Sequence, residues 1–545
     1  MRFNIATHHD EPNVKNRSPL RKKSTGILPL AFALSACGTE EEQNLTGLTL
    51  IGTDDDDTLS GESKNDTISG GNGADIIHGR GGNDVLNGDA GDDFVYGDAG
   101  DDTIINGSGF DPNYTGGGGV DYYDGGDGND TLVSGIINRT STIIFTEEIN
   151  LITGIVGAKG SEIGRDKILN IENVTYVGDL NIEITGNDLD NVLNGGSGDD
   201  IIIGGAGNDT IYGGKGTDTV YGNDGDDLII HNWNTVNADG GSGSDTFYVR
   251  IDSEYMSESG LTDRAFGLEM NFQNGTFRAF NETTNEFFNT GDDNVSNIEN
   301  FKFSGNFNVT VIGDDNGNNI ETDMGDDIIT TGSGNDTVNA GAGNDTIYNH
   351  RSGRDIFDGG EGIDTYVAGF NATVDWRLEV DLKLGYATIE GNYDHALIDD
   401  LINIENVTLV LPNSRAILRG DNNDNVLIAG DQDDELHGQG GNDILQGGDG
   451  ADVFVFDLDD TGSDVITDFN LTDGDKLDLS RLSYTDKQEV LAKMTDFEGI
   501  RLVERNDTIY YEGETGIILS LTEDCSVLIT SLSVADLTSA DGWLA

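Results

Sequence analysis

Between Gly70 and Ile105 the chain reads GGNGADIIH-GRGGNDVLN-GDAGDDFVY-GDAGDDTII, nine-residue units that follow one another without a slip. Each unit has glycine at its first and fourth places, aspartate at the sixth and an apolar residue at the eighth. The same phase returns at 186–248, 313–367 and 420–455. A unit this short cannot bury an apolar face by itself, so successive units must stack on one another. The eighth-place residue, flanked by polar neighbours in a short strand, points inward to a thin core. The glycines allow left-handed backbone and close approach of one coil to the next. An all-β solenoid is the expected architecture.

The sixth-place acids are the candidate functional residues. In a first block, 52–133, they are Asp57, Asp66, Asp75, Asp84, Asp93 and Asp102, then Asp121 and Asp130 after a break at 106–115. The second block, 186–248, offers Asp200, Asp209, Asp218, Asp227 and Asp245; its unit 231–239 keeps the length without glycines or the acid, and should keep the coil while losing one loop site. The third, 313–367, offers Asp327, Asp336, Asp345, Asp355 and Asp364, with one inserted residue near Asn349. The fourth, 420–455, offers Asp434, Asp443 and Asp452. A solvated acidic surface would scatter its carboxylates; a single phase of nine presents hard oxygens at regular spacing, which suits calcium. Blocks two to four begin on an Asn at the acid's place (Asn191, Asn318, Asn425) and end on an aromatic at the apolar place (Phe247, Tyr366, Phe454). Both are expected to cap a terminal coil.

Charge supports a cation requirement. With 29 basic and 101 acidic residues the formal net charge is −72. Such a chain repels itself without counterions and repels phosphate, so nucleic acid is excluded as a partner. Cys37 and Cys525 are the only cysteines, too few for a disulfide framework. With 78 glycines in period and 5 prolines, the chain is not a flexible linker.

Residues 1–37 read as an export signal: basic Arg21–Lys23, apolar Ile27–Leu34, then Leu34-Ser35-Ala36-Cys37. That tetrapeptide resembles a bacterial lipobox, which makes Cys37 a lipidation site and 38–51 a polar tether. Membrane association is expected through this anchor alone. Between the blocks lie β-rich connectors, 134–185, 249–312 and 368–419, each closing on the tetrapeptide Asn-Ile-Glu-Asn at 170–173, 297–300 and 403–406. Trp376, Leu378, Val380, Leu382 and Leu384 alternate as one strand face, and 272–277 reads as a hairpin around Asn-Gly.

The nonapeptides resemble the RTX (repeats-in-toxin) calcium-binding family, and the connectors resemble segments of long members. The resemblance implies right-handed parallel β-roll blocks, two units per turn, with calcium ions between successive loops held by the sixth-place aspartates and glycine-region carbonyls. About fifteen ions would then be bound. Residues 456–545 resemble the C-terminal target region of type I secreted members, with a helix expected over 486–497 behind a Thr485/Gln488 capping box. This leaves two export routes open, lipoprotein and type I. No zinc helix, nucleophile elbow or phosphate loop occurs. The expectation is an exported, non-catalytic calcium-binding protein, extracellular or at the cell surface, with adhesive or matrix function and cell-surface or glycan partners. The alternative is a secreted polysaccharide-active enzyme, epimerase- or lyase-like, with its site on the solenoid or connectors.

Overall fold

The structure, a computed structural model, describes residues 47–544 apart from 107–118, 136–145, 161–164, 232–234, 252–265, 282–285, 288–292, 350–352, 370–376, 391–396, 411–413, 483, 485, 506–507, 523–524 and 541. The signal, Cys37 and most of the tether lie outside these residues. The chain divides into two units, Met1–Asp179 and Leu180–Ala545.

In the first unit, alternate nonapeptides contribute strands to alternate sheets. Strands Thr58–Ser60, Ile76–His78, Phe94–Tyr96 and Tyr122–Asp124 pair in parallel in one sheet. Strands Thr49–Ile51, Thr67–Ser69, Val85–Asn87, Thr103–Asn106 and Thr131–Ser134 do so in the other. Two units therefore make one turn, and Ile68 pairs with Leu86 eighteen residues on. Because side chains alternate along a strand, the eighth-place residues Leu59, Ile68, Ile77, Leu86, Val95 and Ile104 are all buried while Val85 and Phe94 face outward. Each nonapeptide gives one inward apolar side chain to the core, from alternate sheets.

The second unit repeats the plan, and its connectors run in register with the blocks that they join. Strand Thr246–Arg250 pairs in parallel with Asn300–Ser304, and Thr365–Ala368 with Asn406–Leu409, so the ladder crosses each connector directly. In the second connector an antiparallel hairpin, Phe266–Asn271 with Thr276–Asn281, inserts between parallel neighbours. Its turn closes through Gly275 at φ +66, on the expected Asn-Gly. The third connector has the same hairpin, Arg377–Asp381 with Tyr386–Glu390. Here the alternation expected through Leu384 stops at Asp381, whose carboxylate accepts the Leu384 N–H at 2.8 Å. Leu382 and Leu384 lie in the turn, with Leu384 70% exposed, and Trp376 falls outside the described residues.

Two expectations about capping are corrected. Phe247, Tyr366 and Phe454 are not end lids: Phe247 stands between Ile229 and Phe301 in its sheet, and all three are fully buried because a further coil covers each. The C-terminal helix spans only Lys487–Leu491, capped by Asp486, which accepts from Gln488 and Glu489 N–H at 2.9 and 3.1 Å. From Met494 the chain is strand, Met494–Arg505, antiparallel to Thr508–Ser520. A second helix, Val534–Ser539, carries a capping box of Ser533 and Asp536 that was not anticipated.

Candidate metal centres

Every sixth-place aspartate except half-buried Asp57 is buried. Burial follows from the stacking, because each carboxylate reaches back to the coil before it. One oxygen of Asp75 accepts the N–H of Asp57 at 2.7 Å, and Asp84 that of Asp66 at 2.6 Å. Asp93, Asp102, Asp121 and Asp130 continue the series on Asp75, Asp84, Asp93 and Asp102. In the second unit the same bond joins Asp200 to Asp218, Asp209 to Asp227, Asp227 to Asp245, Asp327 to Asp345, Asp336 to Asp355, Asp345 to Asp364, and Asp434 to Asp452. Within each unit the result is a ladder of carboxylates, one per nonapeptide except where Asn191, Asn318, Asn425 or Val236 takes the acid's place.

The second oxygen distinguishes the rungs. It is buried without a hydrogen-bond partner in Asp75, Asp84, Asp93, Asp102 and Asp130, in Asp200, Asp209, Asp227 and Asp245, in Asp327, Asp336, Asp345 and Asp364, and in Asp443 and Asp452. In five others the protein supplies a donor: Thr53 to Asp57, Glu62 N–H to Asp66, the Tyr123 hydroxyl to Asp121, Asn349 to Asp355 and Gly430 N–H to Asp434. Where the first place of the unit is glycine, the free oxygen lies over it; in the third block Thr322, Thr331 and Ala340 stand at that place for Asp327, Asp336 and Asp345. A Cβ on Gly70 would collide with this oxygen of Asp75 and with the carbonyl oxygen of Gly88. Two oxygens thus converge on the space left by an absent side chain.

Burial pushes these carboxyls up, to about 6 for Asp84, about 7 for Asp93 and Asp209, and about 8 for Asp327, and neighbouring ladder acids add to the effect. An ionised carboxylate so placed needs a counter-ion or a proton. No three Asp, Glu, His or Cys side chains converge on a point among the described residues. An ion here must draw on single carboxylates and backbone carbonyls, an all-oxygen donor set that fits calcium and not a softer metal.

The family of RTX calcium-binding nonapeptide repeats (4 copies) matches residues 51–86, 78–111, 115–132, 185–220, 210–233, 312–348, 351–366 and 419–454. These are RTX calcium-binding repeats. The RTX segments and the paired parallel sheets agree on a β-roll that binds several calcium ions. No curated protein matches the chain. Among solved structures, that of the extracellular lipase LipA from Serratia marcescens is similar over 44% of this chain and 40% of its own, at 18% identity and a TM-score of 0.17. The chain spans well under two thirds of that lipase.

The connectors carry ladder residues that sequence reasoning missed. Asp166, Asp293 and Asp399 accept the N–H groups of Asp121, Val236 and Asp355 at 3.0, 2.8 and 3.2 Å. Their other oxygens meet Asn106, His231 and Asn349 at 2.9, 3.0 and 2.9 Å, so an internal side chain occupies each rung. The Asn-Ile-Glu-Asn glutamates follow. Glu172, Glu299 and Glu405 accept the N–H groups of Asp130, Asp245 and Asp364 at 2.8, 2.9 and 2.8 Å. The first Asn of each tetrapeptide sits at φ +49 to +51, a region Asn tolerates, and its amide donates to Asp124, Asp239 or Asp358. The recurrence of the tetrapeptide was the available signal.

The Asn that opens a block also has a concrete reason. Asn318 and Asn425 donate their side-chain amides to the carbonyls of Glu299 and Glu405 at 3.2 and 2.8 Å. An ionised aspartate has no proton to donate there. Two equivalent cavities open beside these residues. One, of about 360 Å³, is lined by Asn297, Glu299, Asp314 and Asn316 among others; the second, of about 150 Å³, by Asn403, Glu405, Asp421 and Asn423.

Proposed function

We propose that this is an exported calcium-binding repeat protein whose roll folds when calcium is supplied outside the cytoplasm, and that it serves adhesion or matrix structure without catalysis. The observation that carries the reading is the series of buried, unpartnered carboxylate oxygens from Asp75 to Asp452. Calcium would be held by these oxygens together with first-place glycine carbonyls such as that of Gly88. It supplies the positive charge that the ladder lacks and replaces the protons that would otherwise neutralise it.

The size of the effect makes folding conditional. Extracellular calcium modules bind at ~10⁻⁴–10⁻³ M. At free calcium about tenfold above such a constant each site contributes ~1.4 kcal/mol by mass action, and many sites add. At submicromolar cytosolic calcium the contribution vanishes. The apolar core is too thin to replace it.

Surface attachment would run through Cys37, and no helix among the described residues is long and apolar enough to cross a membrane. The paired cavities at the second and third connectors, lined by amides and acids, are the places where a glycan partner would bind. The deciding experiment is fractionation and far-UV circular dichroism of the full chain in chelator and in millimolar calcium. Equal β content in both conditions would defeat the folding reading. Cys37→Ser is expected to release the protein from membranes and abolish fatty-acid labelling; unchanged membrane association would defeat the anchor. Calcium-dependent turnover of an acidic polysaccharide, lost on substitution in a connector, would replace the non-catalytic reading with an enzymatic one.

A further inference from the structure

First-place residues recur every eighteen residues as columns along the roll, one member per turn. Gly70 and Gly88 lead to Asn106, Gly195 and Gly213 to His231, and Gly313 and Thr331 to Asn349. The member that leaves each of the first three blocks therefore carries a side-chain nitrogen. The glycines of these columns leave room at the carboxylates. A Cβ on Gly195 would meet the second oxygen of Asp200 and the carbonyl oxygen of Gly213, each at 2.6 Å. Asn106, His231 and Asn349 place a polar side chain where the column otherwise holds space.

All three use it in the same way. One oxygen of each connector acid takes a backbone N–H of the preceding turn, from Asp121 to Asp166, Val236 to Asp293 and Asp355 to Asp399. The other oxygen faces the column side chain of that same turn. The Asn106 amide donates to Asp166 and the Asn349 amide to Asp399, both at 2.9 Å, and His231 Nε2 stands 3.0 Å from Asp293. Asn349 also donates to the second oxygen of Asp355 at 3.4 Å. Asn106, His231 and Asn349 are buried, so water does not compete for these oxygens. No connector acid of the three keeps a buried oxygen without a partner, whereas Asp75, Asp93 and Asp200, with glycine at the first place, do.

We infer that Asn106, His231 and Asn349 stand in for a cation: each closes one rung with a nitrogen donor, so that the three joints between block and connector are held without metal. A carboxylate met at both oxygens by the protein carries no unpaired lone pair that an ion would relieve. The donor also occupies the space that an ion would need. This rests on the calcium-folding reading and limits where it applies, since the blocks wait for calcium at their open rungs and the connectors dock on them through hydrogen bonds.

The test is made at Asn349, whose loss would free an oxygen on both Asp355 and Asp399. Ions bound to the full chain at saturating calcium are counted by native mass spectrometry, and stability is read from denaturant unfolding in calcium. Asn349→Gly removes the donor and empties its place, and should bind one ion more than the parent. Asn349→His keeps a ring nitrogen, the solution found at His231, and should bind the parent's number. Asn349→Leu fills the place without a donor; it should gain no ion and lower the folding equilibrium constant about tenfold, the effect of leaving a buried acceptor unmet. An unchanged count in Asn349→Gly would overturn the inference, because the rung would then reject metal for a reason other than its donor. A raised count in Asn349→His would also overturn it, because the donor would not exclude the ion. A parent chain that binds no calcium would defeat the folding reading, and this inference with it.

Discussion

The backbone N–H of Asp245 donates to the carboxylate of Glu299 at 2.9 Å across a connector of the second unit. Asp245 is fully buried, so this N–H has no water to fall back on. Removing the acceptor should cost about 1–3 kcal/mol, the penalty for an unmade buried hydrogen bond. Glu299→Ala is expected to lower denaturant stability in saturating calcium by that amount, whereas Glu299→Gln, which retains an acceptor oxygen, loses less. Equal losses in the two variants would show that charge at Glu299, and not acceptance from Asp245, matters.

How much of this was legible depended on whether period or partner carried the information. The eighth-place core residues and the sixth-place acids follow from the nine-residue phase, because stacking repeats the same environment at Ile68, Leu86 and Ile104. Asp166, Asp293 and Asp399 could not be read that way. Each reaches its rung from outside the period, and its second oxygen is met by an unrelated type, Asn106, His231 or Asn349. Phe247 was misjudged as a lid because its next neighbour, Phe301, lies across an insertion of variable length.

Asp84→Asn separates the two jobs of a ladder acid. The side-chain oxygen can still accept the Asp66 N–H, but the buried charge is gone. In chelator this variant should melt at a higher temperature than the parent, because no ionised carboxylate is buried at that rung. In a calcium titration it should bind one ion about tenfold more weakly or not at all. A lower melting temperature in chelator would show that the charge is not a burden in the metal-free roll.

Arg80 stands at the second place of its unit with φ +85, where Gly71 has φ +101. Left-handed backbone costs a residue with a Cβ about 1 kcal/mol or more. Its guanidinium is exposed and offsets little, donating to the half-buried Ser60 hydroxyl at 2.9 Å. Arg80→Gly should therefore raise stability in saturating calcium by about 0.5–1 kcal/mol, and Arg80→Ala, which keeps the strain, should not. Denaturant melts of the three proteins decide it; a destabilised Arg80→Gly would place the guanidinium contact above the backbone strain.

Without calcium the roll should be more stable in mild acid than at neutral pH. Burial pushes Asp93, Asp102 and Asp200 up to about 7 from the ordinary 3.8. The folded chain therefore binds more protons than the unfolded chain between about pH 4 and 7, and stability is lost as pH rises through that window. Melting in chelator should fall from pH 5 to pH 7.5, while saturating calcium, which takes the place of those protons, should flatten or reverse the slope. Acid should weaken calcium binding for the same reason, since each ion must displace a proton from its carboxylate. A chelated melt that is higher at pH 7.5 than at pH 5 would mean that the ladder carboxylates carry their charge in the metal-free fold without penalty, and that the requirement for calcium lies elsewhere.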